Sequence, residues 1–140
     1  MNGRGLFLDF FVCKVGVALA AIALIGAVIV MSSSSGRTIE RGEMTAVADT
    51  ITQAIRAIDG MPGEIQITSE LPSVSLQFRV EIVGTYDNMQ VVRVIIDGQS
   101  QVERVFLLRE KINGGVFELS CDSPTLIRLA KVDEISLELI

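Results

Sequence analysis

The chain has 140 residues, enough for about one domain, and 49% of them are hydrophobic. Its net charge is −5, aromatic residues make up 5%, and no basic run occurs, which disfavours nucleic-acid binding by phosphate neutralisation. Histidine is absent and the two cysteines, Cys13 and Cys121, are far apart. That composition removes Ser-His-Asp and Cys-His catalysis, the commonest zinc ligands and a disulfide framework.

Before Arg37 the only charged residues are Arg4, Asp9 and Lys14. Residues 15–31 are uncharged and mostly apolar, at the lower end of what crosses roughly 30 Å of hydrocarbon. Adding residues 6–12 lengthens the apolar stretch, so the pattern predicts a transmembrane helix over 6–31, preceded by a leader or tail, 1–5. Lys14 can snorkel toward a headgroup. A lone carboxylate among Phe7, Leu8, Phe10 and Phe11 is costly, so Asp9 lies either at the water interface or against a positive partner. The two are five apart, off the helical pairing distance. A secretory signal peptide is the rival reading, but the run is long and ends in Met31 and four serines. Cys13 follows Phe10-Phe11-Val12, which lacks the small residues of a lipoprotein cleavage site, and both thiols read as buried. The positive-inside rule favours an inside N-terminus and an extracytoplasmic C-terminal part.

Residues 32–36 read as a Ser/Gly hinge. In 37–140 an amphipathic helix comes first, over about 40–59. Met44, Val47, Ala48, Ile51, Ile55 and Ile58 form its apolar stripe, with Thr45, Asp49, Thr52, Gln53, Arg56 and Asp59 opposite. Gly60-Met61-Pro62-Gly63 stops it.

The period then changes to two. Ile65 and Ile67 begin a short strand before Pro72. Val74, Leu76, Phe78, Val80 and Ile82 alternate with polar residues, as in a half-buried strand. Residues 91–96 read as a central strand, Asp97-Gly98 as a hairpin turn, and 102–108 as the return. Asn113-Gly114-Gly115 marks another turn. Residues 116–121, 126–132 and 135–139 complete about six or seven strands of an antiparallel sandwich or rolled sheet.

No phosphate-binding glycine loop or calcium-loop spacing occurs. Asp87-Asn88, Asp97-Gly98 and Asp133-Glu134 read as turn residues. No catalytic residue, metal or cofactor is expected, and the chain is not read as an enzyme.

Arg4-Gly5 followed by Leu6-Phe7-Leu8-Asp9-Phe10, then an apolar helix, an amphipathic continuation and a small β domain, resembles archaeal type IV pilin-like proteins. That group includes pilins, archaellins and archaellum accessory proteins. The resemblance implies leader cleavage between Gly5 and Leu6, with Arg4 as the basic residue before the cut. It also makes Asp9 the early acidic residue that helps register subunits, with Lys14 a further candidate in assembly. Asp9 would be fourth after the cut, where the family has its acidic residue fifth, and Leu6 stands where Gln is common.

The expected fold class is therefore α+β: an N-terminal transmembrane, pilin-like helix followed by a small antiparallel β-sandwich-like domain. The expected role is a structural pilus or minor-pilin subunit at the cell membrane or in an extracellular filament. The alternative is a permanently anchored envelope protein similar to archaellum accessory proteins. Expected partners are membrane lipid, other copies and other pilin-like or envelope proteins, met through residues 6–31 and the β domain.

Overall fold

A computed structural model describes the backbone of residues 3–140 and the side chains of 14–28 and 38–140. Helix α1 runs over Gly3–Gly60. Seven strands follow: β1 (Ile65–Glu70), β2 (Arg79–Tyr86), β3 (Gln90–Asp97), β4 (Gln101–Leu108), β5 (Phe117–Asp122), β6 (Leu126–Lys131) and β7 (Ile135–Leu139). The chain divides into two compact units, Met1–Thr38 and Ile39–Ile140.

The expected transmembrane helix is corrected by this structure. Among the described residues, no helix is long and apolar enough to cross a membrane. The uninterrupted apolar run, 15–31, at a rise of 1.5 Å per residue, extends only about 26 Å, short of a hydrocarbon layer of roughly 30 Å. Residues 32–36, read as a Ser/Gly hinge, lie within α1.

In the second unit the apolar stripe of α1 is fully used. Met44, Val47, Ala48, Ile51, Ile55 and Ile58 have no exposed surface. Each buried Ile contributes on the order of 1.5–3 kcal/mol, so this stripe alone anchors the helix firmly. Thr52 departs from the sequence reading, which put it on the polar face: it is only 8% exposed. The helix stops at Gly60, where Pro62 cannot continue it and Gly63 takes φ 82°. A side chain of β6 reaches its C-terminal end. The Lys131 ammonium donates to the carbonyls of Asp59 (3.4 Å) and Met61 (2.9 Å).

The strands form two antiparallel sheets, ordered β1-β6-β7 and β4-β3-β2-β5. Alternation sets their inner faces. Val80 and Ile82 of β2 share the core with Val92, Val94 and Ile96 of β3 and with Val102, Phe106 and Leu108 of β4. Ile127 and Leu129 of β6 and Ile135 and Leu137 of β7 supply the three-stranded sheet's share.

The strand expected over 74–82 begins only at Arg79. Just before it, the backbone finds partners other than a ladder. The Ser75 amide donates to Glu43 at 3.0 Å, and the Phe78 carbonyl accepts from the Ser123 amide at 2.8 Å.

Candidate functional site

The leader and assembly residues singled out from sequence all fall in α1. The side chains of Arg4, Leu6 and Asp9, and the surroundings of Gly5, lie outside the described residues. Lys14 is described and exposed.

What the described part of the first unit does present is an apolar surface. Val15, Val17, Leu19, Ile22, Leu24, Ile25 and Val28 are between 53% and 71% exposed. Gly16, Ala20, Ala23 and Ala27 recur at spacings of four, three and four. At about 100° per residue these four share one face, with larger apolar side chains on either side of it.

In the second unit the acidic residues of α1 hold the β domain. Glu40, 6% exposed, accepts from the Gln99 amide at 3.2 Å. Glu43 accepts from the Ser75 amide at 3.0 Å and the Ser75 hydroxyl at 2.9 Å. Asp49 pairs with Arg104 of β4 at 3.1 Å. Asp59 accepts from the amides of Arg109 (3.3 Å) and Glu110 (3.0 Å). Glu40, Glu43 and Asp59 satisfy loop amides that no strand partner reaches, which is work that hydrogen bonds to charged groups do well. The heptad-like pattern marks Asp49 and Asp59 as polar-face residues. It gives no sign that Asp49 reaches a strand and Asp59 a loop some fifty residues away.

A second cluster organises the loop between β4 and β5. The fully buried Gln90 amide nitrogen donates to the carbonyls of Gly115 (2.8 Å) and Thr85 (3.1 Å), and its oxygen accepts from the Ile112 amide at 3.2 Å. Asn113, at φ 44°, acts as an extra rung beside β7. Its side-chain oxygen accepts from the Leu137 amide at 3.0 Å and its nitrogen donates to the Leu137 carbonyl at 3.3 Å. The Lys111 ammonium lies 4.3 Å from the centre of the Tyr86 ring.

An open depression of about 490 Å³ is lined by Gln77, Phe78, Arg79, Asp97, Asp122 and Ser123. Arg79 and Asp122 face each other across β2 and β5 and pair at 2.7 Å. The hydrogen bond and charge of the Arg79 guanidinium hold the Asp122 carboxyl below the usual carboxylate range, and the same contact raises Arg79. Both groups are well exposed, so the pair is screened by solvent. Among the described residues, no group of three or more His, Cys, Asp or Glu side chains could hold a metal ion. The Cys121 thiol is free and half-buried.

No protein-family model, curated protein or solved structure matches this chain.

Proposed function

We propose that the chain is a structural, non-catalytic subunit of the pilin-like kind. It assembles at the cell envelope with other copies through the apolar part of α1, and its β domain faces outward. One observation carries this reading. Seven large apolar side chains between Val15 and Val28 stand more than half exposed along one helix. A helix that is apolar on every side is stable only where water is excluded. Other helices of the same kind supply such surroundings, and the Gly16, Ala20, Ala23 and Ala27 face lets two backbones approach closely. On this reading cleavage after Gly5 precedes assembly, and Asp9 and Lys14 set the register between neighbours.

Two measurements on native protein from its envelope fraction test the proposal. The intact mass is expected to lack Met1 to Gly5, and Ala23→Cys in a Cys13→Ser, Cys121→Ser background is expected to form disulfide-linked dimers through the helix. A chain that keeps Met1 and yields no cross-linked copies sinks the reading.

A further inference from the structure

The first turns of α1 inside the second unit are tied to two separate loops. Glu40 accepts from Gln99, between β3 and β4, at 3.2 Å. Glu43 binds both the amide (3.0 Å) and the hydroxyl (2.9 Å) of Ser75, in the segment leading to β2. Met44 is fully buried between them, its terminal methyl against Gly98 and its sulfur 3.9 Å from the Ser100 hydroxyl. The other acidic ties sit farther along the helix: Asp49 to Arg104, and Asp59 to Arg109 and Glu110 near its end.

We propose that Glu40, Glu43 and Met44 with the 75 and 97–100 loops form a mechanical latch, which makes the β unit resist tension arriving along α1 from its N-terminal side. Such tension enters the unit at residue 39 and meets these three residues first. The two carboxylates hold different loops from within one turn of the helix, so both ties are strained together before the stripe from Val47 to Ile58 can slide. Bonds strained in parallel must break in one event, which raises the barrier more than the same bonds broken in sequence. Glu40 is shielded from water, which would otherwise replace the Gln99 amide as its partner. Asp59, at the opposite end, is strained only after the helix has moved. The inference stands apart from self-assembly, since it concerns force on α1 whatever α1 binds.

The test is constant-force unfolding of the full chain. One handle is a tag at the N-terminus. The other is Asn88→Cys, in the turn between the central strands β2 and β3, in a Cys13→Ser, Cys121→Ser background. Glu43→Ala and the milder Ser75→Ala are each expected to speed unfolding of the β unit at fixed force, the former by about tenfold. Asp59→Ala, matched by urea unfolding for its loss of equilibrium stability, is expected to change the forced rate by less than about twofold. If Asp59→Ala speeds forced unfolding as much as Glu43→Ala does, the ties are ordinary stabilising contacts and the latch is overturned. A Glu43→Ala chain that loses equilibrium stability but unfolds under force at the parent rate overturns it equally.

Discussion

The Met44 side chain fills the space that a β-carbon on Gly98 would need. Helix and hairpin turn thus come together only because the turn carries no side chain at that position. Gly84 is held in the same way by Phe117, whose ring lies where its β-carbon would fall. The two glycines differ in what presses on them: a flexible thioether end at Gly98, a rigid ring at Gly84.

That difference predicts unequal costs for the same substitution. Gly98→Ala is expected to lower stability by about 1 kcal/mol, because Met44 can swing aside, and Gly84→Ala by about 3 kcal/mol, because Phe117 cannot. Urea unfolding followed by circular dichroism compares them. Equal costs would mean that Phe117 has room the packing does not suggest.

Thr52 carries the one buried side-chain polar atom, among the described residues, that has no hydrogen-bond partner. Replacing it with Val keeps the shape and removes the orphaned hydroxyl. Thr52→Val is expected to stabilise the chain by about 1 kcal/mol, whereas Thr52→Ala leaves a void and gains nothing. A Val variant less stable than the parent would show that the hydroxyl has a partner after all.

The Arg79–Asp122 pair predicts an acid-dependent contribution. Asp122 is held below the ordinary carboxylate value by Arg79, so the folded state binds its proton less tightly than the unfolded chain does. The pair's contribution is therefore fully present above the unfolded carboxylate value of about 3.9, and it is lost as pH falls from there through the folded value. Asp122→Asn should flatten that part of the stability profile, with a difference from the parent that shrinks in added salt. Both groups are exposed, so the effect is small. Parallel profiles for parent and variant would show that the pair is not formed in solution.

Much of the β unit is legible in the sequence because alternation and turn chemistry are local signals. Ile65 and Ile67, Val102 to Leu108 and Ile135 to Leu139 lie in strands where the period-two pattern places them. The pattern fails over Val74 to Phe78, where the alternation is real but the backbone is taken by Glu43 and Ser123. No window of neighbouring residues contains those partners. The serines and glycine at 32–36 each weaken a helix, yet their cost is modest beside the length of α1. The membrane-crossing expectation came from composition over 6–31, and the described helix does not supply the apolar length that a crossing needs. Of the site, Asn113 reads only as a turn residue and Gln90 carries no signal at all: a single amide gives no sign that it will be buried or act as a strand rung.

Asn113 also bears on how the folded chain ages. An asparagine followed by glycine is the pair most prone to losing its side-chain amide, through attack by the next backbone nitrogen on the side-chain carbonyl carbon. Here both ends of that amide are engaged by Leu137, and the carbon is kept from swinging toward Gly114. The folded chain should therefore accumulate isoaspartate at this position far more slowly than the same sequence held in urea, which peptide mapping after incubation would read directly. A contact that serves β7 as a rung thus also sets a chemical lifetime for the folded chain.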